Sequence, residues 1–230
     1  MQRRNAVNQG NQPTQTQEIP NWVDWVILLV VVAVSAASVL YTVGVGALNV
    51  SVAADTQASW HLVRSAGLVA YTLLAASTLW GLFLSSKVLK SWSPGPLTLL
   101  LHATTSWLAV VLAAAHALLL LFDNFYNYTL PDLLIPFIGP YRPFAVGLGV
   151  IALWLTLAIT VSFSLRKLMS RKAWLWLHYT SYIAFALVTV HGLLAGSDAM
   201  QTGFRIILIG FAAGVFALLA WRISQNAASH

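Results

Sequence analysis

Four of the six histidines lie in two strongly apolar segments of the chain. His102 and His116 are 14 positions apart in the first segment, and His178 and His191 are 13 positions apart in the second. Imidazole binds transition metals through a neutral ring nitrogen, so it can act in an apolar environment without carrying a charge. Ionisable groups inside membrane segments are costly and usually mark a function. The four histidines are therefore candidate metal ligands.

The spacing of the histidines argues for two sites rather than one. At 1.5 Å per residue, the two histidines of each helix lie about 20 Å apart along its axis. If the two helices run in the same direction, His102 pairs with His178 and His116 pairs with His191 at two levels. Haem iron takes one imidazole on each face, so we expect two haems held between the helices. For any one histidine alone, an interhelical hydrogen bond is the alternative, whereas a proton relay or a copper or zinc site would need its histidines close together.

The spacing of 13 is irregular for a helix. At about 100° per residue, 14 positions leave two side chains about 40° apart, whereas 13 positions leave them about 140° apart. His178 and His191 would therefore not share a face of an ideal helix. Either this helix is distorted, near Gly192 for example, or the two haems flank it differently.

The composition is that of a membrane protein with several spans. Of the 230 residues, 59% are apolar and 8% are charged, against about 25% charged residues in soluble domains. Because cysteine is absent, the chain alone offers no iron–sulfur cluster, thiolate zinc site or c-type haem attachment. We attribute the formal charge of +6 to membrane topology and expect no nucleic-acid partner.

Six stretches are long and apolar enough to cross a hydrocarbon core about 30 Å thick, which needs about 20 helical residues. We predict an all-α membrane protein, a six-transmembrane-helix bundle. A disordered tail at residues 1–20 precedes the transmembrane domain at residues 21–222, and residues 223–230 form a second short tail. The predicted spans are 22–44, 60–84, 97–122, 143–165, 173–195 and 203–221.

The basic residues predict the orientation of the bundle. Nine of the 12 Lys and Arg residues fall on the side of the membrane that holds both chain ends. The three on the other side are Arg64, Arg142 and Arg205. By the positive-inside rule both termini are cytoplasmic, and we expect a multi-pass protein of the cell (inner) membrane. The His102/His178 pair is then the inner one and the His116/His191 pair the outer one.

Several short segments accompany the histidines. They are Arg171-Lys-Ala-Trp174-Leu-Trp-Leu-His178, His191-Gly192-Leu-Leu-Ala-Gly196-Ser-Asp198, Leu134-Ile-Pro136-Phe137 and His61-Leu-Val-Arg64-Ser-Ala-Gly67. With the six spans and the unequal histidine spacings, residues 60–221 resemble the ferric reductase-like transmembrane domain family. This family includes the membrane domains of ferric reductases and NADPH oxidases and the haem-binding membrane subunit of the bacterial methionine sulfoxide reductase system.

The resemblance implies that all four histidines are axial ligands of b-type haems in a transmembrane cytochrome. Electrons would pass from a cytoplasmic-side or quinol donor to an outer-side acceptor such as ferric iron, oxygen or a partner redox protein. Unlike the oxidases, the chain has only eight residues after Arg222 and no flavin or nicotinamide domain, so we expect a donor flavoprotein or a quinol as partner. A non-catalytic or quinone-linked subunit of a larger membrane redox complex is the alternative.

Other polar residues near the predicted outer face are candidates for supporting roles. Guanidinium groups can pair bidentately with the propionates of an outer haem, and the alternative is an interfacial arginine in water or lipid headgroups. The arginines in question are Arg64, Arg142 and Arg205. His61 is a candidate to hydrogen-bond a propionate or a quinone, and Asp123 and Asp198 are candidates to contact a cationic substrate.

Overall fold

The computed structural model of the chain describes residues 58–86, 95–123 and 125–228. All regular structure within these residues is helical. The α-helices, labelled in chain order, are α1 (Ala58–Ser86), α2 (Gly95–Leu119), α3 (Leu130–Leu134), α4 (Pro143–Ser164), α5 (Arg171–Tyr179), α6 (Ser181–Ala195) and α7 (Thr202–Ala228). Short 3-10 turns are found at Leu120–Phe122, Arg166–Leu168 and Ser197–Met200.

Within the described residues, five helical stretches are long and apolar enough to cross a membrane. They are Trp60–Ser85, Leu99–Phe122, Pro143–Ser164, Arg171–Ala195 and Thr202–Gln225. The prediction of an all-helical fold is confirmed for this part of the chain, and five of the six predicted spans coincide with helices of membrane-spanning length and composition. The predicted tail at 1–20 and the predicted first span at 22–44 lie outside the described residues. At the other end, α7 continues through residues 222–228, so most of the predicted second tail extends this helix.

Local sequence signals set several helix starts. Pro143 opens α4, where its missing N–H leaves no unsatisfied donor. The hydroxyl of Ser170 caps α5 by accepting the N–H of Ala173 at 3.2 Å. The short helix α3 begins with a capping box, in which Asp132 Oδ2 accepts both the N–H of Thr129 at 2.8 Å and its hydroxyl at 2.6 Å.

Two antiparallel helix pairs form most of the bundle. α1 packs against α2, α4 packs against α6, and α7 contacts α1 and α6. The ring of Tyr71 on α1 stacks on Phe185 of α6, with ring centres 5.6 Å apart. The Tyr71 hydroxyl donates to the Leu208 carbonyl of α7 at 2.9 Å, so this buried polar group is satisfied within an apolar core.

The helices define two ends of the bundle. Residues 120–123, 125–142 and 196–201 lie at one end, which we call the loop end. Arg64, near the start of α1, forms an ion pair with Asp198 there. Residues 165–170, between α4 and α5, lie at the other end, which we call the basic end. This connection and the first two residues of α5 carry four cationic side chains, those of Arg166, Lys167, Arg171 and Lys172.

Candidate functional site

Three of the four candidate histidines are anchored to a carbonyl oxygen of a neighbouring helix. Nδ1 of His102 lies 2.9 Å from the Ser77 carbonyl oxygen, and Nδ1 of His116 lies 2.7 Å from that of Val63. Nδ1 of His191 lies 2.8 Å from the Ala145 carbonyl oxygen. Because a carbonyl oxygen only accepts, Nδ1 carries the proton in each ring. The Nε2 lone pair is then free to bind a metal, the arrangement typical of ligating histidines.

A glycine follows each of these carbonyls by four positions. The glycines are Gly67 after Val63, Gly81 after Ser77 and Gly149 after Ala145. A Cβ added at Gly67, Gly81 or Gly149 would lie 2.9, 3.1 or 2.7 Å from the nearest atom of the imidazole that packs there. In a helix, carbonyl i already accepts the N–H of residue i+4, and its second lone pair is available only to a group that can approach closely. The glycines provide that approach.

His178 is held differently. Among the described residues it makes no hydrogen bond, and its ring stacks on Trp174, one helical turn earlier, with ring centres 5.1 Å apart and planes 20° apart. Trp174 in turn contacts Phe163 of α4, with ring centres 6.5 Å apart. This imidazole is therefore positioned by aromatic packing rather than by a carbonyl.

The four rings meet as two pairs across the bundle. The ring centres of His102 and His178 are 6.0 Å apart with planes at 74°, and those of His116 and His191 are 6.3 Å apart with planes at 78°. Two metal–imidazole bonds of about 2.0 Å, with about 1.1 Å from each nitrogen to its ring centre, place two axial imidazoles about 6.2 Å apart. The residues present therefore fit a metal centre bound between each pair.

A break in the Arg171–Ala195 span lies between the two histidines that are spaced by 13. α5 ends at Tyr179 and α6 begins at Ser181, and the hydroxyl of Thr180 between them donates to the Leu177 carbonyl at 2.6 Å. The interruption lies two residues after His178. Of the two alternatives that the sequence leaves open, the structure contains the helix distortion, and it lies at Thr180 rather than beside Gly192.

A large cleft surrounds the pair at the loop end. It has about 1480 Å³ of empty space, counting the part that opens to the outside, and its lining includes His116, His191, Gly67 and Gly149. Its walls are mainly apolar residues of α1, α2, α4 and α6. The two helices that carry this pair, α2 with His116 and α6 with His191, are not among the closely packed pairs. A planar apolar group can therefore enter between them.

The three candidate arginines have different surroundings. Arg64 lines the cleft, and its Nε donates to Asp198 Oδ2 at 2.6 Å. Arg142 donates to the Leu194 carbonyl, and Arg205 donates to the Ala199 carbonyl. Neither of these two lines the cleft. The structure thus brings one of the three, Arg64, to the His116/His191 pair.

The remaining candidates are divided in the same way. His61 is exposed on α1 and lies outside the cleft lining. Asp123 lines the cleft, and its Oδ2 is buried without a hydrogen-bond partner in the described part of the chain. Near it, burial raises the pKa of Tyr128 to about 12, and the Asp123 carboxylate contributes to the increase. Tyr128 and Gly149 are among the cleft residues that the sequence analysis does not single out.

Within the described residues there is no cluster of three or more His, Asp or Glu side chains suited to a metal ion. Each candidate centre instead consists of two imidazoles, one from each of two helices. No known protein family, curated protein or solved structure matches the chain.

Proposed function

We propose that the chain is a di-haem b-type membrane cytochrome that passes electrons across the membrane. His102 and His178 hold the haem at the basic end, and His116 and His191 hold the haem at the loop end. The observation that carries this proposal is the facing of two imidazole pairs at ring-centre distances of 6.0 and 6.3 Å. The carbonyl anchors support it, because they fix the tautomer that leaves Nε2 available.

Haem, when bound, supplies reversible one-electron chemistry. The protein's contribution is to keep neutral imidazoles in fixed orientations inside an apolar bundle. The two levels are separated by 14 residues of α2, which is about 21 Å along a helix axis. This separation distributes two redox centres through much of a hydrocarbon core about 30 Å thick.

The charge distribution supports an orientation of the bundle, and the proposed direction of electron flow rests on that orientation. Arg166, Lys167, Arg171 and Lys172 occupy the basic end, which the positive-inside rule assigns to the cytoplasm. A donor flavoprotein or a quinol then delivers electrons near His102 and His178. The acceptor, which is ferric iron, oxygen or a partner redox protein, meets the loop end. There Arg64 is the arginine that we assign to a propionate, because it lines the cleft.

The test is haem quantification in the purified chain, using reduced-minus-oxidised and pyridine haemochrome spectra. We expect about two b-type haems per chain in the wild-type protein. We expect about one in His116→Ala and in His191→Ala, because each variant lacks one ligand of the same haem. His61→Ala is the matched control, since His61 is exposed and outside the cleft. A wild-type chain without haem refutes the proposal, and a His116→Ala chain that retains both haems refutes the pairing.

A further inference from the structure

The loop end contains a nine-residue stretch, residues 133–141, with almost no polar side chain. Its sequence is Leu-Leu-Ile-Pro-Phe-Ile-Gly-Pro-Tyr. The only polar side-chain group is the Tyr141 hydroxyl, which donates to the Ala195 carbonyl at 3.4 Å. The large side chains that it exposes are those of Leu134, Ile135, Phe137 and Ile138. A contiguous exposed apolar surface of this kind marks contact with another molecule or with a membrane.

The stretch lies along the flank of a membrane-spanning helix. Phe137 stacks on Phe144 in the first turn of α4, with ring centres 6.0 Å apart. The backbone of Phe137 passes directly over Gly147, where a Cβ would lie 2.7 Å from the Phe137 nitrogen. The indole N–H of Trp154 donates to the Leu134 carbonyl at 3.0 Å. Trp154 is 11 residues after Pro143, about 16 Å further along the axis, so the stretch extends below the level at which α4 begins.

Part of the backbone of the stretch is satisfied within the protein. Non-helical backbone at membrane depth is tolerated only where it is buried in protein or lines a water-filled cavity. Pro136 and Pro140 carry no N–H, so two of the nine residues need no acceptor. The N–H of Ile135 donates to the Pro131 carbonyl at 2.8 Å, and the Leu134 carbonyl accepts from Trp154. The indole N–H, which would itself be costly to leave unpaired in lipid, is satisfied by the same contact.

The two sides of the stretch face different surroundings. Leu133 and Tyr141 line the cleft of the His116/His191 pair, whereas Leu134 and Ile138 are half exposed on the outside of the bundle. We propose that residues 133–141 form a re-entrant segment embedded in the leaflet at the loop end. Its outer side chains contact acyl chains, and its inner side chains separate the cleft from lipid. The continuity of its exposed surface with Phe144 and Trp154 of α4 identifies lipid as the occupant.

The absence of cysteine from the chain permits single spin labels in the full-length protein. Leu134→Cys and Ile138→Cys are labelled, and the protein is reconstituted in phosphatidylcholine vesicles. Collision rates with oxygen, which concentrates in lipid, and with a water-soluble nickel chelate are measured. Met200→Cys, 83% exposed in the 196–201 loop, is the water reference, and Ile209→Cys, 54% exposed on α7, is the lipid reference.

We expect the collision rates of the Leu134 and Ile138 labels with oxygen and with nickel to lie within about twofold of those of the Ile209 label. Their collision rates with nickel should be several-fold lower than that of the Met200 label. Nickel collisions as frequent as at Met200 would place the segment in water and overturn the proposal. Low collision rates with both reagents would mean that protein, such as a second copy, covers it, and would also overturn it. Trp154→Phe removes the indole N–H donor and should raise the collision rate of the Leu134 label with nickel. None of these outcomes depends on haem binding.

Discussion

Replacing Gly149 with alanine tests whether the glycines position the imidazoles. A Cβ there would lie 2.7 Å from Nδ1 of His191, whereas favourable contacts between heavy atoms are about 3.5–4.0 Å. The ring must therefore withdraw from α4 by about 0.8 Å or more. Its hydrogen bond to the Ala145 carbonyl, 2.8 Å long in the native protein, would then exceed the usual range of about 2.7–3.2 Å.

The expected loss is large enough to measure. Removing a hydrogen-bond partner that orients a ligating histidine costs about 10- to 100-fold in metal affinity, or about 1.4–2.8 kcal/mol. Equivalent substitutions should be graded by the crowding that they create. The nearest imidazole atom is 2.7 Å from the added Cβ at Gly149, 2.9 Å at Gly67 and 3.1 Å at Gly81, so we expect Gly149→Ala to lose most affinity and Gly81→Ala least.

The assay measures the rate at which haem transfers from each purified variant to excess apomyoglobin. The haem content per chain is measured before the transfer begins. Gly210→Ala is the matched control, because nothing lies within 4 Å of its added Cβ and a glycine-to-alanine change favours a helix. It should release haem at the wild-type rate. Equal rates of haem release from Gly149→Ala and Gly210→Ala would refute the positioning role of the glycines. Haem binding is tested separately, by the haem content of the wild-type protein.

Three further predictions concern the ring planes of each histidine pair, ligand exchange at His178 and the buried phenol of Tyr128. Because the ring planes within each pair are 74° and 78° apart, the oxidised protein should show low-spin EPR signals of the large-gmax type for near-perpendicular imidazoles; ordinary rhombic signals would contradict this. Because His178 has no carbonyl anchor among the described residues, carbon monoxide should displace it before the other three histidines. His116→Ala should keep this reaction, and a reaction confined to the loop-end pair would contradict the argument. Because burial raises the pKa of Tyr128 to about 12, above the value near 10 of an unfolded tyrosine, the folded state should lose stability as pH rises through this interval. Tyr128→Phe should lose less in thermal unfolding, and an unchanged alkaline loss would count against a buried phenol.

The sequence predicts the helices better than the contacts between them. Every described span starts no more than two residues from its predicted start, because apolar length and proline or serine signals are local. A distortion of the Arg171–Ala195 span is one of the two alternatives that the histidine spacing predicts, but its place at Thr180 is not predicted. Threonine is common in membrane helices, so Thr180 by itself does not mark a break.

The arginines and glycines show why side-chain roles are harder to predict. Arg142 and Arg205 lie at helix starts near the expected depth, yet their guanidinium groups donate to nearby carbonyls. Their direction depends on which orphan carbonyl is within reach, and no sequence pattern specifies that. In contrast, Gly67 and Gly81 are 14 positions apart, the same spacing as His102 and His116. In two antiparallel helices this equality is a detectable signal that the same contact is made twice.

The anchoring contacts also explain how the bundle is built around a gap. The carbonyls that hold His102 and His116 belong to α1, and the one that holds His191 belongs to α4. Each histidine-bearing helix is therefore backed by its antiparallel partner, and the two resulting hairpins face each other through imidazoles. Direct packing of α2 on α6 would close the space that the proposed haem at the loop end needs. A neutral imidazole in lipid needs an acceptor for Nδ1–H, and a helix carbonyl next to a glycine supplies one without any additional polar side chain. The glycine admits the ring and the carbonyl four residues before it accepts Nδ1–H, so the two together determine where the imidazole lies and leave Nε2 with its lone pair free.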